Sequence, residues 1–333
     1  MSIQETNLKA IADAIRAKTG ETGTIKASEF ASKIAAISTG VAEAEWVLST
    51  LPNSPGHSST EWASVCYGNG KFVAVSRSNI SAYSTDGINW IKATMPETKN
   101  WSSVCYGNGK FVAVAYDSDI AAYSTDGINW TQTTMPGTQV WASVCYGNSK
   151  FVAVCTGSLL PAYSTDGINW ISARLPVSAD WASVCYGNGK FVAMSHNNSV
   201  SAYSTDGINW AQATMPGTQN WISVCYGNGK FVAVSYRSSI SAYSTDGINW
   251  TQTTMPGGTR SWESVCYGNG KFVAVCEGIV ISAYSIDGIN WTQATMPGTQ
   301  KWYSVCYGDG KFVAVAINGN AVAYIKDYFN SWA

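Results

Sequence analysis

Trp62 to Val75 reads WASVCYGNGKFVAV; Ala82 to Trp90 reads AYSTDGINW, and the pair Met95-Pro96 closes the unit. This unit recurs down the chain with almost no drift. Its leading tryptophan returns at Trp101, Trp141, Trp181, Trp221, Trp262 and Trp302, a spacing of 39 to 41 residues. A period in that range marks a repeat architecture, in which each unit hides its apolar face against the next.

Within one unit, Trp62 to Tyr67 alternates and stops at Gly68-Asn69-Gly70. Asn-Gly between apolar runs is a strong hairpin signal. Phe72 to Val75 is the return strand, and Ala82-Tyr83 begins a third that turns at Asp86-Gly87. Ile88 to Thr94 makes the fourth, which Pro96 is expected to stop. Four short antiparallel strands in about 40 residues form one blade of a β-propeller. The expected fold is all-β, a seven-bladed β-propeller of four-stranded antiparallel blades over 41–333, behind a short N-terminal α-helical segment over 1–40.

Ring closure is also legible. Glu45 to Pro52, EWVLSTLP, matches the fourth-strand pattern INWTQTTMP but stands before the first complete unit. The last unit degrades after Tyr324 into Ile325 to Asn330. The N-terminal strand over 45–51 is therefore expected to complete the seventh blade and remove an open edge. A competing register places Phe329 to Trp332 in that role.

The turn YSTDGINW resembles the Asp-box of sialidase-like propellers, a Ser-x-Asp-x-Gly-x-Thr-Trp pattern. It matches at Ser84, Asp86, Gly87 and Trp90, and again at Ser124, Asp126, Gly127 and Trp130. It lacks one residue between Asp and Gly, has Asn in place of Thr, and is broken in the last blade at Tyr328. The resemblance implies a structural turn away from any catalytic centre. The chemistry agrees, because an Asp carboxylate can accept from turn amides and the Trp buries a large ring. No metal is expected at these aspartates.

Composition narrows the function classes. Charged residues are 12% and the formal net charge is −1, with no basic block. A nucleic-acid partner, which needs clustered Lys and Arg, is not expected. Met1 to Ala10 carries no apolar core and no run of 18 apolar residues exists, so neither a signal peptide nor a membrane span is expected. Seven of the nine cysteines are one repeated position, Cys66, Cys105, Cys145, Cys185, Cys225, Cys266 and Cys306. They read as small buried thiols held apart by the repeat, with Cys155 and Cys276 free as well. His57 and His196 are too few for a His-rich metal site, and no cofactor is expected.

In the first forty residues, Leu8, Ile11, Ala12 and Ile15 fall at helical spacing and Gly20 is a stop; Ser28 could cap a second helix with Phe30, Ile34 and Ile37. The segment IADAIRAKTGETGTIKASEFASKIAAI resembles the N-terminal module of tail-associated structural proteins of phages and prophages. That resemblance implies tail components as partners and a place on the virion, or in the bacterial cytoplasm before assembly. A generic helical hairpin that trimerises or docks on the ring is the alternative.

The copies differ on one side only. The loops between strands one and two, and between three and four, share a face and barely change. On the other face the segments after Phe-Val-Ala read SRSNIS, AYDSDIA, CTGSLLP, MSHNNSVS, SYRSSIS, CEGIVIS and AINGNAV, and the blade-to-blade links vary too. Drift of loops free from turn constraints explains this blandly. The sharper reading is a recognition surface across the mouth of the ring. Its candidate ligand-binding residues are Arg77, Tyr116, Asp117, His196, Tyr236, Arg237, Glu263, Glu277 and Tyr303, rich in the types that dominate hot spots. Its partner would be a host-surface glycan or protein. A lectin with equivalent pockets between blades and an architectural decoration protein are the other readings. An enzyme is not expected, since no blade carries a distinct insertion and the carboxylates show no pairing in sequence.

Overall fold

The computed structural model describes residues 12–13, 46–53 and 60–326. The helices expected over 1–40 (Ala12 and Asp13 apart), His57 and the rival strand at Phe329 to Trp332 lie outside the described residues. The chain divides into two compact units, Met1–Glu45 and Trp46–Ala333, and the second carries the ring.

The first blade shows how its residues dictate local structure. Strands Trp62–Gly68 and Lys71–Ser76 pair antiparallel through a two-residue turn at Asn69 and Gly70. The φ angles there, 47° and 70°, lie in the left-handed region that Asn and Gly tolerate. Ile80–Ser84 and Ile91–Thr94 complete the sheet, and the order repeats through the later blades. Among the described residues five sheets are four-stranded, and one is seven-stranded because Thr131–Gly147 runs unbroken from the second blade into the third. Pro136, expected to stop that strand, does not. The register slips between Ser118 and Ile120 opposite it, so Pro136 falls where no ladder amide is needed.

The last blade is closed by the N-terminal side. Val47–Thr50 pairs antiparallel with Ala321–Lys326, Val47 opposite Tyr324 and Thr50 opposite Ala321. Leu51, buried, packs with Trp62 and Phe72 as Met95 packs with Trp101 one blade on, so STLP replaces TTMP position for position. Trp46 precedes the strand rather than lying on it. Its ring is buried, and Nε1 donates to Ser282 Oγ at 3.1 Å.

The core lies between blades. Trp62, Val65 and Phe72 pack on Val313 and Val315 of the seventh blade, and all seven leading tryptophans are fully buried. Two circuits run round the ring. Ser64 Oγ accepts from the Val104 amide at 3.1 Å, Ser103 from Val144, Ser143 from Val184, Ser183 from Val224, Ser223 from Val265, Ser264 from Val305, and Ser304 from Val65 at 3.2 Å. The second circuit is steric. A Cβ at Gly68 would lie 2.0 Å from Cγ of Tyr106, and the same contact recurs blade by blade until Gly308 meets Tyr67. Every repeat keeps Ser, Tyr and Gly for this reason.

The Asp turns are built on hydrogen bonds. Asp166 Oδ1 accepts from the amides of Ile168 and Asn169 at 2.8 Å, Oδ2 accepts from the Asn169 side chain at 2.7 Å, and Ser164 Oγ donates to Oδ1 at 2.9 Å. Partial burial alone would push this carboxyl up; the amides of Asn169 and Ile168 and the side chains of Asn169 and Ser164 outweigh it and hold it well below the usual carboxylate range. Asp166→Ala should cost about 1–2 kcal/mol at neutral pH. Because the folded value is the lower one, that stabilisation is complete above the unfolded value of about 4 and is lost as pH falls further. Melting curves of both proteins should therefore converge in acid, and a gap that widens there would refute this account.

Candidate functional site

The inner strands enclose an axial cavity of about 570 Å³. A bulge shapes it. After each leading tryptophan the register slips by one residue, leaving Ala63, Ser102, Ala142, Ala182, Ile222, Glu263 and Tyr303 unpaired. All seven line the cavity, in keeping with the capacity of bulges to re-aim a side chain. Serines next along the strands, among them Ser64, Ser183 and Ser264, line it as well.

Each blade adds a cross-strand pair at the mouth, its members 16 residues apart. Asn100 faces Tyr116, Val140 faces Thr156, Asp180 faces His196 and Asn220 faces Tyr236. In the other blades the amides of Arg77, Glu277 and Ile317 donate to the carbonyls of Glu61, Ser261 and Lys301 at 2.9–3.0 Å. Pair plus bulge residue makes a triplet, and no two blades share one.

Charge gathers on one side of the mouth, on the sixth, seventh and first blades. Lys301 Nζ meets Glu277 Oε1 at 2.5 Å, and this contact raises the lysine. Arg77 lies 3.5 Å from the Glu61 carboxylate, donates to the Tyr303 hydroxyl at 3.4 Å and sits over its ring at 5.6 Å. Glu263 is 9% exposed and hydrogen-bonds to Glu277. Burial first, then the neighbouring Glu277 carboxylate, push Glu263 up to about 8, against the pull of Lys301 and Arg77. Burial likewise raises Tyr303. Across the mouth, burial holds His196 below its ordinary value although Asp180 opposes it. Its Nδ1 meets the Asn197 side-chain amide at 3.0 Å.

The Glu263 shift has a testable sign. A folded value above the unfolded one, about 4.3, gives stability that is whole below that pH and lost as pH rises through about 8. Glu263→Gln stays neutral, so its melting temperature should fall less than the wild type's between pH 5 and pH 8. Parallel curves would show that Glu263 does not titrate in this window.

Of the nine residues expected to bind, Arg77, Tyr116, His196, Glu263 and Tyr303 line the cavity. Glu277 stands behind Glu263. Asp117, Tyr236 and Arg237 do not line it: Asp117 and Arg237 take left-handed turn positions at φ 51°, and Arg237 stacks on Tyr236 at 5.1 Å. Glu263 and Glu277, which show no pairing in sequence, are brought together at the mouth by the fold. Asn100, Thr156, Asp180 and the serines are site residues that the candidate set lacked; the 16-residue spacing of the mouth pairs was the signal available for the first three. Burial raises the seven repeated thiols well above their ordinary value, and all nine cysteines are free. Among the described residues no group of three His, Cys, Asp or Glu could hold a metal ion, and no helix is long and apolar enough to cross a membrane.

No protein-family model and no curated protein matches the sequence. Solved structures do match the fold. A streptogramin B lyase aligns with a TM-score of 0.76 at 10% identity, over 85% of this chain and 98% of that one. Virginiamycin B lyase from Staphylococcus aureus, a catalytically inactive form with quinupristin, gives 0.75 at 10% identity, over 84% and 99%. YCF48 bound to D1 peptide gives 0.67 at 14% identity, over 85% and 95%. The chain is an all-β propeller of four-stranded antiparallel blades. At these identities the likeness carries the fold alone.

One expectation is overturned. The chain was read as no enzyme because no blade bears an insertion, yet the streptogramin B lyase is an enzyme on this fold. The physical reason is visible at the mouth. Bulges and cross-strand pairs can bring ionisable groups together without any inserted segment, as they do for Glu263 and Glu277.

Proposed function

We propose that this chain is a recognition protein that takes one ligand at the mouth of its axial cavity, carried on a phage or prophage tail by its N-terminal segment. One observation carries the reading. Every blade lines the one cavity with a different set of side chains, while the contacts that join the blades are repeated around the ring. A site in which every blade differs suits one asymmetric ligand held in one orientation. Equivalent pockets between blades would have to use invariant groups. Trp90 is already occupied, packing on Phe72 at 6.5 Å and donating to the Gly87 carbonyl at 3.3 Å. The resemblance of the first forty residues to tail modules, and of the Asp turns to the Asp-box, supports a tail-borne propeller. The target is part of a host-surface glycan or protein.

Attachment to intact bacterial cells tests this. Ala142→Trp, which fills the cavity, and Tyr303→Ala, which removes a lining ring, should each weaken attachment about thirtyfold, the effect of about 2 kcal/mol at a hot spot. Asn108→Asp, on the opposite face, should attach like the wild type. Equal attachment by all three would remove the cavity from the mechanism.

A further inference from the structure

The lining of the cavity is charged at two opposed places and uncharged elsewhere. Among the described residues Arg77 is its one Arg or Lys, and Asp180 and Glu263 are its carboxyl groups. Arg77 belongs to the first blade and Asp180 to the fourth, three blades apart one way round and four the other, hence on facing walls. Glu263 is buried against Glu277 and shares a hydrogen bond with it, and burial and that neighbour favour its protonated form, so it adds no full negative charge to the lining.

The two walls offer opposite chemistry. On the first, the guanidinium has five N–H donors and spends them on long contacts only, 3.5 Å to Glu61 and 3.4 Å to the Tyr303 hydroxyl. That hydroxyl accepts from Arg77, which leaves its own proton directed elsewhere. A planar fork beside a hydroxyl donor suits a carboxylate. On the second wall Asp180 is an acceptor beside His196, whose burial disfavours the cationic form. No Lys or Arg lines that wall among the described residues. An anionic ligand filling the cavity would be repelled by Asp180, a cationic one would meet the Arg77 guanidinium, and a neutral one would cover Asp180 with no cation opposite it.

We infer that the cavity takes a zwitterionic ligand, with its carboxylate against Arg77 and Tyr303 and its ammonium against Asp180. This rests on the cavity being the recognition site and adds the ligand's chemical class. Two sources offer such a group: the free ends of a short peptide, and an amino-sugar acid.

Titration calorimetry on the full chain separates them. One arm uses alanine and its di-, tri- and tetrapeptides with free ends, each also as the N-acetyl and the C-terminal amide form. The other uses muramic acid and its N-acetyl form. Binding by one arm is expected, with at least a tenfold loss when an end is blocked. Arg77→Gln should weaken the free peptide but not its amide, and Asp180→Asn the free form but not the acetylated one, in variants whose melting temperatures match the wild type. Blocked and free forms binding alike, or no binding in either arm, would overturn the inference. Cell attachment lost in Ala142→Trp would still uphold the cavity as the site, whereas attachment retained there would remove that reading too.

Discussion

Gly107→Ala should destabilise the ring by about 3 kcal/mol or more, beyond the ordinary range for overpacking. A Cβ there would stand 2.0 Å from Cγ and 2.5 Å from Cβ of Tyr146 on the next blade. The tyrosine cannot retreat freely, because its ring packs at 4.7 Å on Phe151, which is fully buried. Gly107 is not in the left-handed region, so the penalty is steric and not a matter of backbone freedom. The inner strands of two blades would have to part, opening the serine circuit beside them. Thermal or urea unfolding of Gly107→Ala, Tyr146→Ala and the double variant measures this as a coupling. The double variant should be more stable than the sum of the two single losses predicts. A Gly107→Ala ring that melts within a degree or two of the wild type would show the contact to be soft.

Deleting Trp46 to Pro52 should be more damaging still. It removes the ladder from Val47 to Thr50, the Leu51 amide bond to the Asn320 carbonyl at 2.7 Å, and two buried side chains. Losing a buried Leu costs about 2–5 kcal/mol and a buried Trp about 3–5, and together these rival the stability of a typical domain. The strand Ala321–Lys326 would also become an open edge, which invites pairing with other molecules. The expected result is aggregation or a collapse of the melting transition. Leu51→Ala keeps the question open to measurement if the deleted chain is insoluble, with an expected loss of about 2–5 kcal/mol. Normal melting of both variants would mean that the ring does not depend on this closure.

The ring and its closure were legible because both rest on local patterns. The 40-residue period, the Asn-Gly turns and the match of STLP to TTMP each report a short-range requirement that one blade must meet by itself. The uninterrupted strand through Pro136 was not legible, since a proline normally ends a strand and only the slipped register opposite it removes the need for its amide. The site was half legible. Variation pointed to the face that carries the mouth of the cavity, but it could not separate Tyr116, which lines the cavity, from Asp117 one residue later, which does not. Nor does any residue type mark the bulge after the tryptophan, which gives Glu263 and Tyr303 to the cavity. The pairing of Glu263 with Glu277 needs the fold, because Glu263 lies on one strand and Glu277 just past the end of the next, and they meet only once the mouth is assembled.

The uniformity of the contacts between blades has a genetic consequence. Each blade offers its neighbours the same serine, tyrosine and glycine and accepts the same groups in return, so a blade is an interchangeable cassette carrying one mouth triplet. Repeats this alike in protein sequence would suit exchange between their coding segments. A crossover that replaces one blade by a copy of another leaves the seven-membered circuits unbroken while rewriting one seventh of the rim. Unequal exchange that adds or drops a unit must instead re-space every circuit at once. Blade-for-blade exchange would rearrange the residues around the mouth at little structural cost, provided that the number of blades is conserved.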